Sequence, residues 1–155
     1  METQGPAHLL PSHVDTDQIL PGKYLHLDRD KFGDHALEGY HESYPDVLPG
    51  NAILVAGENI GLGSSREAAP IALQRAGVQG IVAESFARIF YRNCINIGLP
   101  IAQVPSITEY CSNGDTIHID LAAGTVTNRT TDAKYDIDPL PENLREILQA
   151  GGLVN

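Results

Sequence analysis

The segment ENIGLGSSREAAP, residues 58–70, places two glycines, two serines, an arginine and a glutamate ahead of a proline. Ser64-x-x-Glu67 fits a capping box, in which serine and glutamate satisfy the free amides of a helix start. Pro70 opposes that reading. With Ser64 as cap, Pro70 would lie six residues on, where its missing N–H and its ring disrupt a helix interior. Proline is tolerated in the first turn, so the helix is expected to begin near Glu67. Ser64, Ser65 and Arg66 then belong to the preceding loop. No lysine follows the last glycine, as a Walker A loop requires. Arg66 stands where a dinucleotide fingerprint has its third glycine, and the lipase G-x-S-x-G is absent. There remains a glycine turn delivering hydroxyls and a guanidinium to a helix N-terminus, where backbone N–H groups favour an anion. Arg66 can hold a carboxylate through two parallel hydrogen bonds, and a serine whose alkoxide is stabilised beside it can act as a base. From these residues alone, cap and carboxylic-acid site both stand.

The elements around this loop follow an alternating pattern. NAILVAG (51–57), GIVAE (80–84) and LPIAQV (99–104) are short apolar runs bounded by turn formers, predicting buried strands. EAAPIALQRAG (67–77) and FARIFYRNCINIG (86–98) predict helices stopping at Gly77 and Gly98. In the second, Phe86, Ile89, Phe90, Cys94 and Ile97 fall near one stripe. Strand, helix, strand, helix, strand implies parallel crossovers. The first fifty residues look loop-rich, with a brief strand in DQILPGKYL and one or two helical turns in DKFGDHALEGY. After residue 114, DTIHIDLAAGTVTNRT predicts a hairpin turning near Ala123-Gly124, AKYDID a further strand, and PENLREILQAGG a short helix. The expected class is α/β with an antiparallel addition, arranged as one domain over residues 1–155.

Composition narrows the function. The 155 residues carry 20 acidic and 10 basic side chains, a formal charge of −10. That opposes non-specific nucleic-acid binding, which needs a basic face, while leaving room for an anionic substrate at a local arginine. The two cysteines, Cys94 and Cys111, form no C-x-x-C and are expected to be free thiols in a reducing compartment. No secretion signal and no apolar run of membrane-spanning length is visible, so a cytoplasmic protein is expected.

Three separated motifs, VDTDQILPGKYL, GSSREAAPIAL and ESFARIFYRNCINIGLP, together resemble the small subunits of 3-isopropylmalate dehydratase and the swivel domains of aconitase and homoaconitase. The likeness runs from about His13 to Gly124 in the same order and spacing. It implies a compact swivelling β/β/α domain with a mixed sheet. It also implies a separate large subunit carrying a four-iron–four-sulfur cluster on three cysteines, and no metal site in this chain, whose two cysteines cannot supply that ligand set. The implied activity is a hydro-lyase, active only with the large subunit, that isomerises 2-isopropylmalate to 3-isopropylmalate in leucine biosynthesis. By the same resemblance Ser64 is the catalytic base. Ser65 and Arg66 bind carboxylate, and Thr16 and Asp17 line the site from the other loop, where the residues alone suggest only a polar turn.

The resemblance places Leu25, His26 and Leu27, within YLHLD (24–28), where the family reads the variable group of the substrate. Members that take a third carboxylate have an arginine there. Two leucines suit an alkyl group, with Arg29 and Lys31 just beyond. The chain departs from the family's Gly-Cys-Gly-Ser-Ser-Arg-Glu-His at Leu62 and Ala68. Those departures keep open a related substrate (homoaconitate, an alkylmalate or dimethylmalate) and a non-catalytic anion-binding or assembly module. His8, His13, His35, His41 and His118 lack ligand spacing. Phe86, Phe90 and Tyr91 suit helix packing, and Arg88 and Arg92 share a helix face from which Arg88 could support the serine loop.

Overall fold

A computed structural model describes residues 1–64, 66–137 and 140–153. Seven strands form one mixed sheet: β1 (Glu2–Leu10), β2 (Ile53–Ala56), β3 (Gly80–Ala83), β4 (Ile101–Gln103), β5 (Thr116–Asp120), β6 (Thr125–Asn128) and β7 (Ala133–Asp136). Their order is β4-β3-β2-β1-β5-β6-β7. The β1 to β4 half is parallel and the β1, β5, β6, β7 half antiparallel. Every residue of β2 and β3 is buried, as expected of parallel strands covered on both faces. Their crossovers run through α2 (Ala68–Arg75) and α3 (Arg88–Asn96), which end ahead of Gly77 and Gly98 as the sequence predicts.

Strand β1 joins the halves by changing partner along its length. Glu2–Pro6 pair antiparallel with β5, and Ala7–Leu10 pair parallel with β2. Pro6 sits at the changeover, where its missing amide is tolerated, as at bulges and edges. A Cβ on Gly5 would lie 2.1 Å from the Asn51 carbonyl oxygen. This strand corrects the loop-rich reading of the amino-terminal region: proline, glycine and polar residues hide it from any periodicity test.

The brief strand expected in DQILPGKYL is instead the helix α1 (Thr16–Ile19). Asp15 caps it. The Asp15 carboxylate accepts from the Gln18 amide at 2.7 Å, and the Gln18 side chain accepts from the Asp15 amide at 3.0 Å. The chain's capping box therefore sits on Asp15 and Gln18, not on Ser64 and Glu67. A 3-10 stretch, Arg29–His35, supplies the turns expected in DKFGDHALEGY.

The main core joins Ile53, Val55, Ile81 and Val82 to Ala69 and Leu73 of α2, Phe90, Cys94 and Ile95 of α3, and Leu144 and Leu148 of α4 (Glu142–Gln149). Ile89, expected on the buried stripe of α3, is 54% exposed; Ile95 lies inside in its place. A smaller cluster of Leu20, Phe32, Ala36, Ile71 and Ala72 fixes α2 against the 3-10 stretch, with Tyr24 and Leu27 packed on it.

These caps set two expected stabilities. Asp15→Ala should cost about 1 kcal/mol, as losing a good cap does, measured by urea unfolding. Ser64→Ala, at an exposed residue that caps no helix, should stay within about 0.5 kcal/mol of the parent.

Candidate active site

In open α/β sheets ligands bind beyond the carboxyl ends of the parallel strands. Here the loops leaving β1, β2 and β3 meet at that end and continue the sheet as two short ladders. On one side of the glycine loop, His13 N–H donates to the Glu58 carbonyl (2.7 Å), Gly61 N–H to Val14 (2.7 Å) and Thr16 N–H to Leu62 (2.8 Å). On the other, Ile60 N–H donates to the Ser85 carbonyl (3.2 Å) and Ala87 N–H to Ile60 (2.9 Å). Two hydroxyls reinforce the joints, Ser12 Oγ accepting from Glu58 N–H and Ser85 Oγ from Asn59 N–H, each at 2.8 Å. The three sequence motifs, far apart in the chain, are thus laid side by side.

Two glycines let the loop fit. Gly61 has φ +87°, and a Cβ there would lie 2.1 Å from the Phe90 ring. Gly63 has φ +109°, and a Cβ there would come within 3.0 Å of Thr16 Oγ1. Both combine a left-handed backbone with a close approach that only glycine accepts without strain. Past Gly63 the ladders stop and Ser64 stands exposed. Helix α2 then starts at Ala68 after Glu67, which makes no side-chain cap; Pro70 occupies the first turn, as expected. The Glu67 carboxylate instead pairs with Arg29 at 3.5 Å.

Arg66 lies back across the loop toward α1. Its Nη1 is 3.7 Å from Asp17 Oδ1 and 3.5 Å from the Leu20 carbonyl oxygen. The same Asp17 oxygen accepts from Gly22 N–H at 3.1 Å, and a Cβ on Gly22 would lie 3.6 Å from the guanidinium. The bonds described engage Nη1. A guanidinium carries five donors, so these contacts with described residues do not exhaust it. With Asp17 70% exposed, the pair adds little stability but sets the direction of Arg66.

Ser64, Arg66, Thr16 and Asp17 are therefore brought together. Thr16, only 3% exposed, lies beneath Gly63; Ser65 lies outside the described residues. Leu25 and His26 are presented to solvent, Leu25 at 41% exposure, whereas Leu27 turns in against the smaller core cluster. Leu62 is 40% exposed beside the serine. Arg88 is exposed, and among the described residues no bond joins it to the serine loop; its segment supports that loop through the Ser85 and Ala87 backbone. Sequence reasoning missed Asp15, Gly22 and the Leu20 carbonyl. The D-x-x-Q of Asp15 to Gln18 was the available signal for the first.

Leu62, Gly63 and Ser64 are exposed and Arg66 is partly buried. Three clefts of about 410, 410 and 480 Å³ lie elsewhere, along the β1–β3–β4 edge, by Tyr91 and Gln103, and between α2 and α3; neither Ser64 nor Arg66 lines them. Both cysteines are free and buried. Burial holds the Cys94 thiol well above its ordinary range, and burial with the nearby Asp115 charge pushes Cys111 up to about 11. Such thiols stay protonated at neutral pH. Among the described residues no group of three His, Cys, Asp or Glu side chains could hold a metal ion, and no helix is long and apolar enough to cross a membrane. The chain's two cysteines, both buried, are too few to ligate an iron–sulfur cluster by themselves.

Comparison with known proteins gives this geometry a family. The model of the aconitase C-terminal domain matches residues 12–105. Proteins named 3-isopropylmalate dehydratase small subunit are similar over nearly the whole chain. That of Pyrobaculum neutrophilum is 47% identical, covering 100% of this chain and 96% of the relative. That of Nitratidesulfovibrio vulgaris is 44% identical, covering 99% and 93%. The crystal structure of 3-isopropylmalate dehydratase from Methanocaldococcus jannaschii superposes with a TM-score of 0.89 at 40% identity, over 99% of this chain and 91% of that one. The mixed sheet with its glycine-serine loop and these full-length likenesses agree: the chain belongs to the family of 3-isopropylmalate dehydratase small subunits, built on the aconitase C-terminal domain.

Proposed function

We propose that this chain is the small subunit of a cytoplasmic hydro-lyase of leucine biosynthesis, a single swivelling domain over residues 1–155. It isomerises 2-isopropylmalate to 3-isopropylmalate by dehydration and rehydration. One observation carries the reading: a braced loop exposes Ser64 beside an Arg66 that Asp17 orients, a half-site suited to closure by a second protein. That second protein is the large subunit. Its four-iron–four-sulfur cluster supplies the Lewis acid for the departing hydroxyl.

The chain's own residues handle binding and the proton. Arg66, aimed by Asp17, holds a substrate carboxylate through donors other than Nη1; the family resemblance assigns Ser65 to the same carboxylate, and Thr16 supports the loop from beneath Gly63. Ser64 Oγ, at the amino end of α2, takes the proton from the carbon next to a carboxylate as the hydroxyl leaves the neighbouring carbon and the double bond forms. In rehydration, oxygen adds to the carbon that lost the proton, and Ser64 returns a proton to the carbon that lost the hydroxyl. The positive end of α2 and the Arg66 charge favour the alkoxide this requires.

The substrate's variable group falls to Leu25 and His26. An alkyl chain is favoured over a third carboxylate, because YLHLD (24–28) holds two leucines and no arginine. This also speaks against a homoaconitate-type substrate.

Reconstitution with the large subunit under anaerobic conditions, following the unsaturated intermediate from 2-isopropylmalate, tests the reading. Ser64→Ala should lower kcat by about 10²–10⁴-fold, the usual contribution of a positioned base, with stability unchanged. Full turnover by Ser64→Ala, or no turnover of any alkylmalate by the parent, would overturn it. Arg66→Lys keeps the charge but loses the two-pronged grip. It should raise KM by about 10–100-fold, the scale of one charge-assisted contact.

A further inference from the structure

The substrate-reading loop is tied down by side chains outside the site. Its first residue, Tyr24, stacks face to face on His35, with ring centroids 3.7 Å apart and planes 10° from parallel. The Tyr24 hydroxyl donates to one oxygen of Glu38. His35 Nδ1 lies 2.6 Å from the other. The hydrogen bond from Tyr24, and after it His35, holds the Glu38 carboxyl below its usual range, and the same bond raises the Tyr24 hydroxyl. At neutral pH the phenol is therefore the donor and the carboxylate the acceptor. The Lys23 ammonium lies 5.3 Å from the Tyr24 ring centroid.

The base of this cluster is the platform that carries the site. Leu37 N–H donates to the Ile19 carbonyl at 2.7 Å, at the end of α1. A Cβ on Gly39 would lie 2.5 Å from the Asp17 carbonyl oxygen. Glu38 is thus fixed against the helix bearing Thr16 and Asp17. Gly22, two residues before Tyr24, is held by the Asp17 carboxylate. The loop is clamped at Gly22 and Tyr24, and inward-packed Leu27 closes its far end. Between these points Leu25 and His26 remain exposed.

We propose that Tyr24, His35 and Glu38 form a positioning cluster that fixes Leu25 and His26 as the edge reading the substrate's alkyl group. Substrate selectivity then depends on the cluster and proton transfer does not. This inference rests on the reading under Proposed function and deepens it.

The test uses the enzyme reconstituted with its large subunit and measures kcat and KM for 2-isopropylmalate and for 2-methylmalate. Tyr24→Phe keeps the stacked ring and removes the hydroxyl; Glu38→Gln keeps the shape and removes the charge. In both, KM for 2-isopropylmalate should rise about 5–30-fold, within the range for misplacing one or two methylene contacts. kcat should stay within about twofold, on the same scale, and the preference for isopropyl over methyl should narrow. His35→Phe, which preserves the stack, should restore more of the preference than His35→Ala. Unchanged KM and preference in both variants would overturn the proposal. So would a matched fall in kcat for both substrates with a lowered Tm, which marks a purely structural role. Failure of the parent enzyme on every alkylmalate is seen before any variant is made; it would remove the proposed function and this inference with it.

Discussion

The site depends on backbone hydrogen bonding that continues past the ends of the strands. A glycine-rich loop left to itself samples many conformations, and ordering it costs about 1–2 kcal/mol per residue. Here the loop after β2 is bonded on one side to residues 13–16 and on the other to residues 85–87. The amide and carbonyl of Ile60, the amide of Gly61 and the carbonyl of Leu62 are engaged before the serine is reached. Ser64 is therefore presented from a braced base, at the start of a helix whose Pro70 prevents an earlier beginning. In the proposed reaction, preorganisation of this kind is what allows a single hydroxyl and a guanidinium to act without reordering.

The same constraint explains which residues carry side-chain chemistry and which carry only space. Gly61 is there so that Phe90 of α3 can pack directly under the loop, and Gly63 so that Thr16 can. Asp17 serves three elements at once: it aims Arg66, accepts from Gly22 and sits on the helix capped by Asp15. Leu62 and Ala68, where the chain leaves its family's pattern, stand beside this framework and take no part in the ladders through their side chains.

Much of the fold was legible because β2, β3 and their flanking helices are buried elements with uninterrupted apolar patterns. The β5–β6 hairpin showed by strict alternation. Strand β1 did not show, because it divides its hydrogen bonds between two partners, tolerates Pro6 at the changeover and mixes polar residues with apolar ones. Helix α1 has four residues, too few to show a helical period; its signal lies in the Asp15–Gln18 cap. Pro70 did locate the start of α2. The chemistry of Ser64 and Arg66 was legible as a possibility from residue types, and as a role only through resemblance. The tertiary convergence with Thr16 and Asp17, and the inward turn of Leu27, have no local signature.

Native-state amide hydrogen exchange tests the central claim most directly. If the ladders brace the serine loop, the amides of Thr16, Ile60, Gly61 and Ala87 should exchange within about tenfold of the β2 amides, as members of one cooperative unit do. The Ser64 amide should exchange far faster. Exchange of Ile60 and Gly61 about 10³-fold faster than β2, matching Ser64, would show a loop that opens locally and would contradict a preformed half-site.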